Sequence, residues 1–146
     1  MQDDTNRYPR VLEDLTSEAA LALMASVPIG RVVFSLDALP AILPVHFRFD
    51  NGTLAFRLVS DQRVHAALHD CVCAFEADDY DTREYTGWTV TVTGRVMRVD
   101  RPDDAGHLAE LLPRSWDSGH PHRFFRITPE IVSGRLLRPT AAPIPA

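Results

Sequence analysis

The stretch Tyr85–Asp100, YTGWTVTVTGRVMRVD, decides the reading of this chain. Trp88, Val90 and Val92 alternate with Thr89, Thr91 and Thr93, and the alternation resumes at Val96. A period of two is the mark of a strand with one face buried. This is the longest strand that the sequence predicts, and it opens on Gly87 and Trp88. Glycine inside a strand marks a close backbone approach. The tryptophan has two readings: a core side chain, or the flat wall of a ligand pocket.

Similar strands flank it. IGRVVFSL (29–36) is followed by a turn at Asp37-Ala38 and a second strand over Leu39–Phe49. There Val45, Phe47 and Phe49 alternate with His46 and Arg48. Asp50-Asn51-Gly52 is a hairpin turn, because Asn-Gly accepts positive φ at both central positions. TLAFRLV (53–59) completes a meander. CVCAFEAD (71–78) precedes the opening stretch, and Asp78–Asp81 reads as part of a solvated polar connection. HRFFRITPEIVSGRLL (122–137) is a last strand, bent near Pro129. Helices are predicted over LTSEAALALMASV (15–27), capped by Thr16 or Ser17, over RVHAALHD (63–70), and after Arg101-Pro102-Asp103. Six mostly sequential strands with short helices at the corners predict a mainly β fold, a small antiparallel barrel whose closure removes sheet edges. The expected layout is an N-terminal arm (1–14), one domain (15–138) and a Pro/Ala tail (139–146).

Composition bounds the function. The 146 residues are 45% hydrophobic and 24% charged, enough for one domain with one core. A net charge of -5 gives no case for nucleic acid or an anionic membrane. The two cysteines, Cys71 and Cys73, make no disulfide framework. The polar start lacks a signal-peptide pattern, and no apolar run reaches the roughly 18–20 residues of a membrane span. A cytoplasmic location is expected.

AFRLVSDQRV (55–64) gathers Arg57, Ser60, Gln62 and Arg63 where a strand gives way to a helix. Guanidinium forks, a hydroxyl and free helix N–H groups suit an anion. Asp61 opposes this unless it caps the helix. The alternative is a solvated turn. Cys71 and Cys73 share a strand face and read as core thiols. His65 and His69, at i and i+4, read as surface histidines, and His120 and His122 as loop residues, so no metal site is expected. No Ser–His–Asp set, Walker loop or paired carboxylates stand out. Redox or transfer chemistry would therefore belong to a cofactor.

The order of these elements resembles the flavin-binding split barrel of the pyridoxamine 5'-phosphate oxidase-like proteins. The resemblance spans roughly Leu15–Leu137. It rests on GRVVFSLDALPAILPVHFRFDNGTLAFRL, AFEADDYDTREYTGWTVTVTGRVMRVD and ITPEIVSGRLL. It implies a six-stranded antiparallel split β-barrel that is a homodimer, with FMN between two subunits. Pro44, Val45 and His46 would run along the isoalloxazine. Arg57, Leu58 and Val59 would line the ring and ribityl chain, and Ser60, Gln62 and Arg63 would hold the phosphate. Trp88, Thr89 and Val90 would approach from the partner subunit, with Gly87 letting the backbone pass close. This chain departs from the family at Asp61-Gln62-Arg63, where a small turn and a lysine are usual, and after Arg135, where a second basic residue often follows.

Three functions are consistent with that resemblance. The first is an FMN-dependent oxidoreductase passing hydride or electrons from a reduced donor to a small acceptor. The second is an F420 (deazaflavin)-dependent reductase on the same fold. The third is a non-catalytic binding protein for flavin or another flat ligand. A true pyridoxamine phosphate oxidase is not expected, because the chain is short and shows no second phosphate site.

Overall fold

A computed structural model describes residues 10–114 and 119–140. Its elements are β1 (Arg10–Asp14), α1 (Ser17–Met24), β2 (Ile29–Leu36), β3 (Leu39–Asp50), β4 (Thr53–Val59), α2 (Gln62–Leu68), β5 (Cys71–Asp81), β6 (Thr86–Arg98), α3 (Pro102–Leu111) and β7 (His122–Pro139). All ladders are antiparallel. The strands follow the order β1-β7-β4-β3-β2-β5-β6, and β6 pairs back onto β7. Six strands, β2 to β7, therefore close a ring, as the sequence predicts.

The seventh strand, β1, falls inside the predicted N-terminal arm. It pairs with Arg135–Pro139 of β7, beyond the point where β4 has left that edge. A ladder of backbone bonds and an Arg138–Glu13 ion pair of 2.6 Å hold it, rather than a buried apolar face. Residues 141–146 of the predicted tail, and 1–9 of the arm, lie outside the described residues, while Pro139 ends β7.

Two turns explain the meander. Asp37 and Ala38 both have positive φ (51° and 62°), as do Asn51 and Gly52 (49° and 74°). These are the primed turns whose twist matches two-residue hairpins. Opposite Pro129, Gly94 pairs with Pro129 and Thr93 with Ile131, so Glu130 is an extra, bulged residue. The bend predicted near Pro129 is this bulge.

The polar run Asp78–Asp81 is strand, not turn. It pairs with Thr86–Thr89, and the hairpin turn is confined to residues 82–85. Asp78 is on the outward face, Asp79 and Asp81 lie exposed where the end of β5 runs past the core, and Asp81 Oδ1 accepts hydrogen bonds from the Arg83 and Glu84 N–H groups, which shapes the turn.

The interior is apolar, with Phe56, Phe75 and Phe125 fully buried at its centre. Ala20 and Met24 of α1 and Val64 and Leu68 of α2 belong to the same cluster. Thr16 caps α1, its hydroxyl accepting from Ala19 N–H at 3.2 Å. A second, smaller cluster lies outside the ring, where Leu108 and Leu112, in and after α3, cover Ala55 and Phe124. Arg126 fastens α3 there, donating to Asp50 at 2.9 Å and to Asp104 at 2.6 Å. Among the described residues no helix is long and apolar enough to cross a membrane.

Candidate functional site

The β3–β4 ladder runs from Asp50/Thr53 to Phe47/Phe56 and ends there. β4 stays on β7 as far as Val59/His122, while β3 pairs onward with β2 from His46. Pro44–His46 and Arg57–Val59 thus flank the place where two strands part. Inward positions are filled: Val45 and Leu58 are 2% and 4% exposed and join the core. The outer face falls to Pro44, His46, Arg57 and Val59.

Arg57 is the unusual member. It is 6% exposed, with its guanidinium carbon 4.7 Å from the centroid of the Phe124 ring. Its Nη2 donates to Ala109 O at 3.5 Å, and its Nε has no hydrogen-bond partner among the described residues. Among the described residues no carboxylate pairs with it. Burial, and then the nearby Arg114, push its pKa down. A buried cation without a counter-charge is costly unless something supplies the charge.

Ser60, Gln62 and Arg63 follow at the β4–α2 junction. Asp61 is the cap of α2, its Oδ1 accepting from Val64 N–H at 3.0 Å. Its carboxylate is thus turned to the helix, which answers the question its charge raises. Arg63 is exposed and donates to Asp37 Oδ2 at 2.9 Å. Ser60 N–H reaches Pro121 O, and beside it lies a groove of about 380 Å³ lined by Arg98, Asp100, His122, Arg123 and Phe124, with Asp100 paired to Arg98 at 2.7 Å. His122 Nδ1 is a second buried nitrogen without a partner.

Trp88, Thr89 and Val90 sit elsewhere. Trp88 is 7% exposed and Val90 fully buried, both in the main core. Within one chain, Trp88 is packing, with an edge on the open groove along Asp79–Gly87. Gly87 has φ +156°, and a Cβ there would run into Asp79 O and the Tyr80 ring. Within one chain its close approach is to β5. Thr89 points outward, hydrogen-bonds to the Tyr80 hydroxyl and lines a groove of about 450 Å³ with Leu12, Thr91, Ser133 and Arg135. Arg98 marks the Arg57 end of the barrel, since it pairs with Phe125, which pairs with Phe56. Ten residues of β6 separate Trp88 from Arg98, roughly 33 Å at about 3.3 Å per residue. One chain does not bring these two groups together.

His65, expected on the surface, is 2% exposed, with Nε2 3.3 Å from Leu58 O. Burial dominates its environment and holds its pKa down. It faces the barrel because α2 packs across the interior cluster. Cys73 is buried and its thiol is pushed up to about 12 by burial, so it is inert at neutral pH.

Paired carboxylates, absent from the sequence reading, do occur. Glu76 and Asp78 lie two apart on the outer face of β5, with Arg31 Nη1 3.2 Å from Glu76 Oε1 and 3.3 Å from Asp78 Oδ2. Burial first, then the Asp78 carboxyl, push Glu76 up to about 7. The spacing of Glu76 and Asp78 was visible in sequence, but the arginine between them comes from β2.

The sequence profile described as pyridoxamine 5'-phosphate oxidase matches residues 16–136, nearly the whole described barrel. The chain belongs to that family. The chain is similar to the uncharacterized protein Rv0080 of Mycobacterium tuberculosis. It is 38% identical over 130 residues, 86% of this chain and 85% of that protein. Among solved structures, an FAD binding protein from Mycobacterium smegmatis superposes with a TM-score of 0.66 at 26% identity, covering 88% of this chain and 100% of that one. An FAD-binding protein from Mesorhizobium loti gives 0.69 at 17% identity, over 89% and 99%, a likeness of fold alone.

Proposed function

We propose that this protein binds a flavin nucleotide where β3 and β4 part, and works as a homodimeric oxidoreductase. The observation that carries the reading is Arg57: a buried guanidinium with an unmatched Nε, on the outer face beside the strand junction. A phosphate or the electron-rich edge of a flavin is the kind of group that satisfies it. The likeness to the FAD binding protein from Mycobacterium smegmatis supports the same class of ligand.

When bound, a flavin would supply the hydride and electron transfer for which the chain has no side chains of its own. The protein's part is to bind and orient. Pro44, His46 and Val59 offer the outer surface along the junction. Arg57 offers fixed positive charge there. Ser60, Gln62 and Arg63 hold the phosphate at the start of α2, with Asp61 turned aside by its capping bond. Leu108 and Leu112 shield the Arg57 side from water. Thr89 and the backbone of Trp88 and Val90 come from the partner subunit, since in one chain they lie at the far end of β6.

A second reading concerns which flavin. The groove beside Ser60 is lined by Arg98, Asp100, His122 and Arg123; Asp100 pairs with Arg98 at 2.7 Å, and Arg123 extends the cationic surface beyond a single phosphate. It favours a cofactor with an anionic extension, either FAD or F420, over FMN. The test is the absorption spectrum of the purified protein with mass spectrometry of what denaturation releases. A flavin at about one per subunit is expected. FMN would remove the second reading. A colourless protein that takes up none of FMN, FAD or F420 would overturn the first.

A further inference from the structure

α3 is weakly built for a helix laid on a barrel. Among the described residues no side chain caps its start, and Leu108 is the fully buried one of its ten residues. Gly106 sits inside it, where glycine is less favourable than alanine. What fastens α3 is polar. Arg126 grips Asp104 through two bonds, Nη2 to Oδ1 at 2.6 Å and Nε to Oδ2 at 3.1 Å. The same guanidinium donates to Asp50 Oδ2 at 2.9 Å and to the Thr53 hydroxyl at 2.8 Å. His107 Nε2 lies 3.1 Å from Asp50 Oδ1. A two-point arginine–carboxylate pair fixes direction as well as position. It pins the first turn of α3 to the β3–β4 hairpin.

The following turns lie over the proposed site. Leu108 and Leu112 cover Ala55, and Ala109 O accepts from Arg57 Nη2 at a long 3.5 Å. Phe124 stacks on the same guanidinium, and the Nε is left over.

These two features oppose each other. With α3 down, Arg57 is 6% exposed and its charge is unmatched, which is costly. With α3 raised, water reaches the guanidinium and the cost is relieved. The clamp at Arg126 resists that movement. An anion at the Nε would remove the push, so the helix that opens for a ligand would stay down over it.

We propose that α3 is a latched cover over Arg57: the Asp50–Arg126–Asp104 clamp holds it down, and its opening gates entry to and release from the site. Asp104 and Arg126 are positioning residues, acting on the site through α3. The ligand so admitted rests on the flavin reading given above; the cover itself does not.

The first experiment is phenylglyoxal labelling of the flavin-free protein at low modification, read residue by residue by mass spectrometry. Arg57 is expected to react about tenfold or more slowly than the exposed Arg63, as a site reached only by local opening does. Asp104→Ala should speed Arg57 by about tenfold, the scale of a lost charged hydrogen bond, and leave Arg63 unchanged. Gly106→Ala, whose added Cβ meets nothing within 4 Å, should slow Arg57; the expected factor is about threefold to fivefold. Cys73, buried in the barrel, should stay closed to N-ethylmaleimide throughout. Arg57 as reactive as Arg63 in the wild type, or unmoved by both variants, overturns the cover. Arg57 and Cys73 opening together would be unfolding of the barrel and overturns it too.

Stopped-flow FMN binding tests the gate. Asp104→Ala should speed uptake and release together, each by about fivefold or more, with Kd moving less than either rate. Faster release with unchanged uptake is the loss of an ordinary contact and overturns gating. A protein that takes up no flavin overturns the flavin reading, and the labelling alone then decides the cover.

Discussion

Arg57 lies over Phe124, guanidinium carbon 4.7 Å from the ring centroid, on the outside of a barrel whose inside is apolar apart from His65. The stacking steadies a charge that no carboxylate among the described residues balances. Arg57→Met keeps much of the stem and removes the charge. Flavin affinity is expected to fall by about 1.5–3 kcal/mol, the scale of a charged hydrogen bond. The ligand-free protein should unfold at the same or a higher temperature, because an unmatched buried charge is destabilising. Fluorescence titration and thermal melts of the stripped protein measure the two effects. A variant that loses both affinity and stability would make Arg57 a packing residue.

Arg63 should behave differently. Its partner Asp37 and Arg63 itself are both about two-thirds exposed, and such pairs contribute under about 1 kcal/mol to stability. Arg63→Ala is expected to leave the melting temperature nearly unchanged. It should weaken flavin binding by about 1.5–3 kcal/mol, with a shallower salt dependence than the wild type. Unchanged binding would move the phosphate away from α2.

Asp61 tests the same junction in the opposite sense. Ser is as good a helix cap as Asp, whereas Ala costs about 1 kcal/mol. Asp61→Ser should hold stability within about 0.5 kcal/mol and tighten flavin binding by removing a negative charge. Asp61→Ala should lose stability. Equal affinity in wild type and Asp61→Ser would mean that the cap's charge is not felt at the ligand.

Glu76 gives a pH signature in stability itself. Its folded-state pKa of about 7 lies above the ordinary 4.5. The folded chain therefore holds a proton that the unfolded chain releases between those values. The stability this contributes is full below about pH 4.5 and is lost as pH rises to about 7. Urea midpoints for wild type and Glu76→Gln, taken at several pH values at a concentration that fixes the oligomeric state, should diverge over that range. The variant should be the more stable of the two above neutrality. Parallel curves would show that Glu76 titrates normally.

Much of the barrel was legible. Alternation at Trp88–Val92 and Val45–Phe49, and Asn-Gly at the hairpin, are local signals with local physics. Strand β1 was not legible, because RVLED carries no alternation and is held by backbone pairing to Arg135–Pro139, at the other end of the chain. Asp78–Asp81 misled because polar composition reads as turn, although the end of a strand that runs past the core is exposed on both sides and tolerates such residues. The site divided along the same line. Asp61 as a cap and Arg57 as a cation follow from type and position. The burial of Arg57 under α3, the inward turn of Trp88 and the reach of Arg31 to Glu76 are set by neighbours far along the chain.

β7 carries one more consequence. It pairs with β6 along one edge and with β4 and then β1 along the other, so it seals the ring and fixes the N-terminal strand. Every strand made earlier waits for it. During synthesis at about 5–20 residues per second, the nascent chain holds an open meander with two free edges until His122–Pro139 has left the ribosome. The order of elements thus makes closure of this barrel a late event in its birth, and leaves β4 and β6 the edges most in need of protection until then.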